Sequence, residues 1–320
     1  MSKEILIISS KFRESSETYR DLLEREGCTL AERDIQYPIT EEHLAEIIKD
    51  VDGLITGLEH VTPKVLENAN RLKVISAGGV GYDHIDLEAA TAKGIAVCNC
   101  AGCNNRSVAE LAFGMMISLS RQIFQSDRAM RNGEWGRFTG PELWGKTIGI
   151  VGLGRVGKSV AQLAKGFGMR ILATDVLWDI AYADEHGISY VPFDRLLQQS
   201  DYVTLHTPLT TWTHNLVGQR ELEMMKPTAY LINTARGPVV DENALCKALE
   251  QNRIAGAGLD VFVVEPTNNC AFVDFENVII TPHIGGASNE AYDRSLQLAL
   301  QNVTSVLNGR PPHSQVNVTP

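Results

Sequence analysis

The sequence lacks the features that mark membrane-spanning, nucleic-acid-binding and secreted proteins. Its most apolar window, Leu111 to Leu119, is far shorter than the ~20 residues that a helix needs to cross a bilayer. Lysine and arginine total 29 against 39 aspartate and glutamate, so nucleic acids and anionic membranes are unfavourable partners. The N-terminus has no basic region followed by an apolar core, so we expect no secretion signal and a cytoplasmic location.

Cysteine is scarce, with six in 320 residues. In a long chain without an export signal, free thiols are a better interpretation than a disulfide framework. Cys98, Cys100 and Cys103 form a C-x-C-x-x-C cluster, which could hold a metal ion if further ligands joined it. No second ligand cluster lies nearby in the sequence. We therefore predict no metal site and interpret the cluster as a strand end and loop built from small side chains.

Short apolar strands alternate with amphipathic helices along the whole chain. This alternation is typical of parallel sheets with helices on both faces, and 320 residues suggest two domains. We therefore predict an α/β protein with two doubly wound parallel-sheet domains. Strands are predicted at residues 4–9, 53–56, 72–76, 95–98, 148–151, 170–174, 202–205, 230–232, 256–259 and 278–280. The main helices are predicted to begin near residues 40, 62, 86, 105, 155, 242 and 289.

The segment 105–132 contains no proline and is predicted to form one long helix. Its first half is almost wholly apolar from Val108 to Leu119, which indicates burial on several sides. A domain connector, a dimer contact and simple burial in the core are all consistent with this pattern.

A glycine fingerprint lies near the middle of the chain. The run Gly152-Leu153-Gly154-Arg155-Val156-Gly157 matches G-x-G-x-x-G and joins a predicted strand to a predicted helix, which is the context that dinucleotide binding requires. Gly152 allows the tight turn, Gly154 lets the backbone approach a pyrophosphate, and Gly157 allows close helix–strand packing. The helix that follows, whose first residues are Arg155 and Val156, supplies backbone amide donors to the pyrophosphate. Because about 100 residues precede this unit, we predict that it is inserted into another domain, with the reaction where the two meet.

An acidic residue follows the fingerprint at the spacing that ribose recognition needs. Asp175 ends the next predicted strand, 23 residues after Gly152. A carboxylate there accepts hydrogen bonds from both ribose hydroxyls and repels a 2′-phosphate. The sequence therefore favours NAD over NADP, the alternative being a glycine turn beside a solvated aspartate.

Three ionisable residues downstream each follow a predicted strand. They are Arg236, Glu265 and His283, and loops at the carboxyl ends of parallel strands line the ligand crevice of such sheets. Arginine suits a substrate carboxylate, and histidine suits proton transfer near neutral pH. A glutamate beside the histidine would fix its tautomer and favour its protonated form. Each residue alone could be structural, but the three together predict reduction of a 2-oxo acid.

These motifs resemble the D-isomer-specific 2-hydroxyacid dehydrogenase family, closest to its phosphoglycerate dehydrogenase-like branch. The resemblance covers residues 74–86, 105–121 and 140–287, which is most of the chain. It implies a Rossmann-type NAD domain at 102–286, inserted into a flavodoxin-like substrate domain at 1–101 and 287–320. It also implies a homodimer with the segment 105–132 in the interface.

The same resemblance implies roles for individual residues. Arg236, Glu265 and His283 correspond to the catalytic set, with Arg236 and His283 also contacting substrate. Val80 and Gly81 are implied to turn backbone amides toward the substrate carboxylate. The cofactor contacts implied, besides the fingerprint and Asp175, are Thr207, Thr234, Ala235, Asp260, Gly285 and Gly286.

The chain departs from the phosphoglycerate dehydrogenase pattern where the phosphate would bind. Positions that usually carry arginine are Gly57 and Ala77 here, and Glu59 and His60 stand close to the first of them. His84 also replaces a usual asparagine beside Asp83. Loss of two cations should weaken binding of a phosphorylated substrate. We therefore predict a small unphosphorylated 2-oxo acid, such as hydroxypyruvate or glyoxylate.

Three alternatives remain open at the level of sequence. One is 3-phosphoglycerate dehydrogenase itself. Another is an imino acid reductase, which would use the same hydride geometry, and Glu59 could then favour a substrate with a cationic tail. The last is an NAD-sensing binding protein similar to the C-terminal binding protein corepressors, although the chain has no disordered tail of the kind those proteins carry.

Overall fold

The computed structural model describes residues 2–267 and 270–318, and it divides into two compact units. The first unit comprises Met1–Asn104 with Ala287–Pro320, and the second comprises Asn105–Gly286. No helix in the described part of the chain is long and apolar enough to cross a membrane.

The first unit contains, among its described residues, a parallel sheet of five strands in the order β2-β1-β3-β4-β5. This order is that of flavodoxin-like doubly wound folds. The strands are β1 Lys3–Ile7, β2 Cys28–Leu30, β3 Gly53–Thr56, β4 Val74–Ala77 and β5 Ala96–Cys98. The helices are α1 Ser10–Ser16, α2 Arg20–Arg25, α3 Glu41–Ile47, α4 Pro63–Glu67, α5 Leu87–Ala92 and, from the end of the chain, α13 Asn289–Leu307, with a 3₁₀ turn at Glu17–Tyr19.

The second unit contains, over the residues that the structure describes, a parallel sheet in the order β8-β7-β6-β9-β10-β11-β12. Its first six strands in chain order follow the 3-2-1-4-5-6 arrangement of dinucleotide-binding folds, and a seventh strand extends one edge. The strands are β6 Thr147–Val151, β7 Arg170–Thr174, β8 Ile188–Tyr190, β9 Tyr202–Leu205, β10 Tyr230–Asn233, β11 Gly256–Leu259 and β12 Val278–Ile280. The helices are α6 Asn105–Arg121, α7 Ile123–Arg131, α8 Arg155–Gly166, α9 Ile180–His186, α10 Phe193–Gln199, α11 Gln219–Met224 and α12 Glu242–Glu250, with a 3₁₀ turn at Gly237–Val239.

Local sequence signals explain where several of the helices begin. Thr40, Thr62 and Asp86 each accept a hydrogen bond from the amide three residues later and thereby cap α3, α4 and α5. The central strands are buried on both faces, as expected for parallel sheets covered by helices. The predicted fold class, two doubly wound parallel-sheet domains, is confirmed.

The prediction of one long helix over 105–132 is wrong. The helix ends at Arg121, Gln122 adopts a left-handed conformation with φ 49°, and α7 then begins at Ile123. The break coincides with a close contact from later in the chain, because a Cβ on Gly140 would lie 1.7 Å from the carbonyl oxygen of Ser120. The side chain of Gln122 also donates to the carbonyl of Thr139, at 3.0 Å. These tertiary contacts override the continuous helical pattern of the sequence.

The long C-terminal helix α13 completes the first unit. A Cβ on Gly53 of β3 would lie 2.5 Å from Cγ1 of Val303, so α13 packs directly on the backbone of this strand. Its buried face includes Leu296, Ala299 and Leu300, which join the core on one side of the sheet. This packing explains how a segment near the end of the chain belongs to the unit that begins it.

Candidate active site

The residues predicted to bind cofactor and substrate in the second unit follow its strands. Asp175 follows β7, Thr207 lies two residues after β9, and Asp260 follows β11. Because all the strands are parallel, their carboxyl ends share one edge of the sheet. The structure therefore brings the predicted residues of this unit to the same edge.

The glycine turn after β6 is built by close backbone contacts. Gly152 has φ 94°, which favours glycine, and its amide donates to the carbonyl of Thr174 at 2.9 Å. A Cβ on Gly152 would lie 2.8 Å from the carbonyl oxygen of His206. A Cβ on Gly157 would lie 2.1 Å from the carbonyl oxygen of Gly152, so α8 packs directly on the turn. The first and third glycines thus have the structural roles predicted for them.

The space beside Gly154, in the middle of the fingerprint, is free of protein atoms. A Cβ on Gly154 would have no atom within 4 Å, and Gly154 is the residue that precedes α8. Arg155 is exposed and Val156 is half-buried in the first turn of this helix. The free space at a helix N-terminus is what a pyrophosphate requires.

Asp175 lies beside this turn. Its Oδ2 accepts a hydrogen bond from the Leu153 amide at 2.7 Å, and its Oδ1 accepts one from the Leu177 amide at 3.2 Å. Two amide donors hold the carboxylate at the end of β7. Its negative charge therefore stands next to the fingerprint, as the prediction of NAD over NADP requires.

Two buried threonine hydroxyls indicate which kind of ligand the site fits. Among the described residues, Thr207 Oγ1 and Thr234 Oγ1 are buried and have no hydrogen-bond partner in the protein. Buried polar groups without a partner are costly, so such a pair at the ligand edge of the sheet indicates a polar ligand. These hydroxyls, the open space at Gly154 and the carboxylate of Asp175 all fit NAD.

The loop after β10 carries Arg236. The side chain of Asn233 accepts from the Ala235 amide at 3.1 Å and donates to the carbonyl of Arg236 at 2.9 Å, which closes the loop on itself. The guanidinium of Arg236 donates to the carbonyl of Ala235 at 2.7 Å. Asn233 is only 1% exposed, and no pattern in the sequence singled it out.

Asp260, after β11, fixes the loop that carries His283. One carboxylate oxygen accepts from Thr281 Oγ1 at 2.6 Å and from the Ile284 amide at 2.8 Å, and the other accepts from the Gly285 amide at 2.7 Å. Burial raises the pKa of Asp260, although these three hydrogen bonds act in the opposite direction. The two oxygens of Asp260 therefore hold the backbone around His283.

His283 itself has a backbone conformation that non-glycine residues seldom adopt, with φ 53°. Its amide lies 2.9 Å from the carbonyl oxygen of Asp260 and 3.0 Å from that of Thr281. These hydrogen bonds hold His283 in its strained backbone conformation, and strained residues held in this way are common at functional sites. Gly285 is buried beside it, and Gly286 is the last residue of the second unit.

Glu265 and His283 form a hydrogen-bonded pair. Oε2 of Glu265 lies 2.6 Å from Nδ1 of His283, and Oε1 accepts from the Phe262 amide at 2.8 Å. Burial alone would raise the pKa of Glu265, but hydrogen bonds from His283 and Phe262 and the charge of Arg236 hold it below its ordinary value. The glutamate is therefore an anion at neutral pH, and the three predicted catalytic residues lie within electrostatic reach of one another.

The loop Gly78–Gly81 lies in the first unit, after β4. A Cβ on Gly78 would lie 2.0 Å from the ring of Phe12, so only glycine fits this turn. The carbonyl of Val80 accepts from the side chain of Asn99 at 2.7 Å, and Asn99 is 6% exposed. Gly81, the next residue, is half-buried. Asn99 is a second supporting amide that no motif in the sequence indicated.

The two positions without arginine also lie in the first unit. Ala77 is fully buried at the end of β4, and the amide of Gly57 donates to Oε2 of Glu59 at 2.6 Å. His84 Nε2 lies 3.0 Å from the hydroxyl of Thr56, the last residue of β3. Where the phosphoglycerate dehydrogenase pattern has a cation, this loop presents a carboxylate.

The C-x-C-x-x-C cluster belongs to the core of the first unit. Cys98, Cys100 and Cys103 are buried, and burial raises the pKa of Cys98 to about 12. The thiol of Cys100 lies 3.3 Å from the carbonyl oxygens of Ala77 and Ser295. In the part of the chain that the structure describes, no group of three or more His, Cys, Asp or Glu side chains is placed to hold a metal ion.

Comparison with known proteins places this geometry in a family. The model of the D-isomer specific 2-hydroxyacid dehydrogenase NAD binding domain matches residues 113–285, which lie within the second unit. A glyoxylate reductase of Thermococcus litoralis is 44% identical over 284 residues, which cover 86% of each chain. The chain belongs to the D-isomer-specific 2-hydroxyacid dehydrogenase family.

Solved structures agree with this assignment. A protein of Thermus thermophilus superposes with a TM-score of 0.86 and 33% identity, covering 98% of this chain and 99% of that one. A D-lactate dehydrogenase of Aquifex aeolicus, solved with NAD and lactic acid, gives a TM-score of 0.82 and 29% identity over 96% of both chains.

The predicted family, cofactor and reaction type are therefore confirmed. This family member is an NAD-dependent oxidoreductase that reduces a small 2-oxo acid. The comparisons favour this activity over the three alternatives that the sequence left open, namely 3-phosphoglycerate dehydrogenase, imino acid reductase and corepressor-like binding protein.

Proposed function

We propose that this dehydrogenase reduces glyoxylate or hydroxypyruvate with NADH, using Arg236, Glu265 and His283 as its catalytic residues. The observation that carries the proposal is the 2.6 Å contact between Oε2 of Glu265 and Nδ1 of His283. A carboxylate on Nδ1 leaves Nε2 as the nitrogen that faces away from the pair and can hold the transferable proton.

The roles follow from what reduction of a 2-oxo acid requires. The planar guanidinium of Arg236 suits bidentate binding of the substrate carboxylate. His283 donates the proton that the developing alkoxide needs, and Glu265 stabilises the imidazolium before that transfer. Bound NADH supplies the hydride. Val80 and Gly81 are proposed to contribute backbone amides to the substrate carboxylate.

The cofactor would be held by groups around the glycine fingerprint and at the ends of the strands. Thr207 and Thr234 offer buried hydroxyls, and Asp175 offers its carboxylate to the ribose. The helix that begins at Arg155 offers its N-terminal amides to the pyrophosphate. Ala235, Asp260, Gly285 and Gly286 are proposed to complete the surroundings of the nicotinamide.

The choice of an unphosphorylated substrate is supported by charge. In the loop after β3, the carboxylate of Glu59 accepts a hydrogen bond from the Gly57 amide, and Ala77 is buried at the end of β4. A phosphate dianion near this loop would meet a carboxylate in place of a guanidinium, and like charges at such a site are unfavourable. The relatives named glyoxylate reductases support the same substrate class.

A substrate screen with active-site variants tests the proposal. Oxidation of NADH is followed by absorbance with glyoxylate, hydroxypyruvate and phosphohydroxypyruvate, with and without ammonia. His283→Ala should lower kcat by about 10²- to 10⁴-fold with little change in NADH affinity. Arg236→Ala should mainly raise KM for the oxo acid, because it removes the carboxylate anchor. A strong preference for phosphohydroxypyruvate would contradict the substrate assignment, and turnover that depends on ammonia would favour the imine.

We further propose that the protein is a cytoplasmic homodimer. The segment 123–144 exposes apolar side chains that a monomer would leave in water: Ile123, Met130, Trp135, Phe138 and Trp144. The six free cysteines suit a reducing compartment. Light scattering should give twice the 35.1 kDa chain mass. Trp135→Ser combined with Phe138→Ser should shift the protein toward monomer, whereas Trp212→Ser, an equally exposed tryptophan outside the segment, should not.

A further inference from the structure

A second carboxylate touches the loop that carries Glu265. Glu242 is the first residue of α12, and its Oε1 accepts a hydrogen bond from the Val263 amide at 2.8 Å. The preceding amide, that of Phe262, donates to Oε1 of Glu265 at the same distance. Two successive amides of one short loop are therefore bound by two different glutamates, one in the loop and one on the helix.

The start of α12 is itself well fixed. The side chain of Asp241 caps the helix by accepting from the Ala244 amide at 3.1 Å. The amide of Asp241 donates to the carbonyl of Val217 at 3.0 Å. Glu242 therefore projects from an anchored helix end, and it can restrain the more exposed segment that it contacts.

The loop around Val263 has little burial of its own to hold it. Val263 is 49% exposed and Val264 is 67% exposed, so apolar packing contributes little to its position. A Cβ on Gly237, the residue after Arg236, would lie 1.9 Å from the carbonyl carbon of Phe262 and 2.4 Å from the Val263 nitrogen. The backbone that follows Arg236 thus abuts the backbone that precedes Glu265, at the point where Glu242 binds.

We propose that Glu242 is a positioning residue for the Glu265–His283 pair. By holding the Val263 amide, it keeps the loop in the conformation in which Glu265 spans from the Phe262 amide to Nδ1 of His283. The inference rests on the catalytic roles proposed above for Glu265 and His283. It differs from the ordinary role of an acidic residue in a first helical turn, which stabilises the helix through its charge alone.

Two substitutions separate the contact from the charge. Glu242→Asp keeps the negative charge at the helix N-terminus but is one methylene too short to keep the hydrogen bond to Val263. Glu242→Gln loses the charge but retains an Oε1 that can accept the same bond. If Glu242 positions the loop, Glu242→Asp should lower kcat by about 10- to 100-fold and Glu242→Gln should stay within about threefold of the wild type. A helix-charge role predicts the reverse order.

The measurements are steady-state kcat and KM with glyoxylate, NADH affinity by fluorescence quenching, and the thermal midpoint. We expect the loss to fall on kcat, with NADH affinity and the thermal midpoint of Glu242→Asp close to those of the wild type. Glu290→Ala, which removes an exposed acidic residue from the first turn of α13, is the matched control and should leave kcat unchanged.

The same series includes Glu265→Gln and His283→Ala, so that the two proposals can fail separately. If these two variants lose turnover while Glu242→Asp keeps the kcat of the wild type, the positioning role is overturned and the catalytic assignment stands. If Glu265→Gln and His283→Ala keep turnover, the catalytic assignment itself is wrong. A loss of kcat in Glu242→Asp that Glu242→Gln does not share supports the positioning role.

Discussion

A Cβ atom on Gly157 would lie 2.1 Å from the carbonyl oxygen of Gly152, so α8 rests on the glycine turn with no room for a side chain. At Gly154, between them, a Cβ would meet nothing within 4 Å. The two glycines of the same motif therefore serve different purposes. The missing side chain at Gly157 lets α8 pack on the turn, and the missing side chain at Gly154 leaves space for a ligand.

This difference predicts opposite patterns for two alanine substitutions. Gly157→Ala should lower both the thermal midpoint and NADH affinity, because helix α8 must move away from the turn. Its cost should be in the range of about 1–3 kcal/mol that overpacking a close contact carries. Gly154→Ala should leave the thermal midpoint of the free protein nearly unchanged and weaken NADH binding alone. Differential scanning fluorimetry with and without NADH measures both effects, and a stable Gly157→Ala variant would contradict the packing argument.

The carboxylate of Asp175 should decide between the two nicotinamide cofactors. Asp175→Asn removes the charge that repels a 2′-phosphate but can keep a hydrogen-bond acceptor for the Leu153 amide. We expect the ratio of kcat/KM for NADH over NADPH to fall by about 10- to 100-fold. Steady-state rates with both cofactors test this. Asp184→Asn, an exposed aspartate on α9, serves as control, and an unchanged ratio in Asp175→Asn would assign the preference to another residue.

The ring of His206 should make the folded protein sensitive to acid. Burial lowers the pKa of His206 to about 3, and Nε2 lies 2.8 Å from the hydroxyl of Thr204. The unfolded chain takes up a proton below its ordinary pKa of 6.5, whereas the folded chain stays neutral until about pH 3. The stability that the neutral ring contributes is therefore complete above pH 6.5. It is lost as the pH falls from 6.5 toward about 3.

His206→Gln should flatten this dependence. The wild type should lose up to about 1.4 kcal/mol per pH unit more than the variant between about pH 6 and pH 4. The partly exposed position of the residue should make the actual slope smaller than this limit. Unfolding in urea at several pH values measures it, with His214→Gln, an exposed histidine of the same unit, as control. Identical acid dependence in the wild type and His206→Gln would mean that the folded protein protonates this ring.

The six thiols should fall into two classes of reactivity. Burial raises the pKa of Cys98, Cys100 and Cys103, and thiol reagents attack the thiolate. Burial also raises the pKa of Cys28 and Cys246, but Cys246 and Cys270 are only partly buried, so a reagent reaches them more readily than the buried thiols. An aromatic disulfide reagent at about pH 8 should titrate roughly two thiols quickly in the native protein and all six after denaturation. Rapid reaction of the cluster at Cys98–Cys103 would show that it is open to solvent.

Much of the second unit could be predicted because its signals are local. The glycine fingerprint lies between an apolar strand and a helix, and the spacing from Gly152 to Asp175 spans one βαβ unit, so both could be identified from neighbouring residues. Arg236, Glu265 and His283 could be singled out because each follows a strand. In a parallel sheet the ends of successive strands meet at one edge, whatever the details of the loops.

Other features of the fold gave weaker signals. The strands β2 and β8 were not predicted, because each is three residues long with an exposed polar residue in the middle, Thr29 and Ser189, so neither forms an apolar run. The end of α6 at Arg121 could not be seen either, because nothing in the segment 105–132 interrupts a helix. The contact that ends it comes from Gly140, which lies outside that segment.

The sequence alone therefore determined the fold class, the cofactor and the residue types available for hydride transfer chemistry, since these depend on periodicity and on spacing within one structural unit. Only the tertiary structure decided that Glu265 binds Nδ1 of His283, that Asp260 holds the loop beside it, and that Glu242 holds the Val263 amide. Each of these contacts joins residues 18 to 25 positions apart, either from loops that follow different strands or, for Glu242, from the start of a helix to a loop. Their geometry depends on how the loops pack against one another at the edge of the sheet, and no local pattern encodes it.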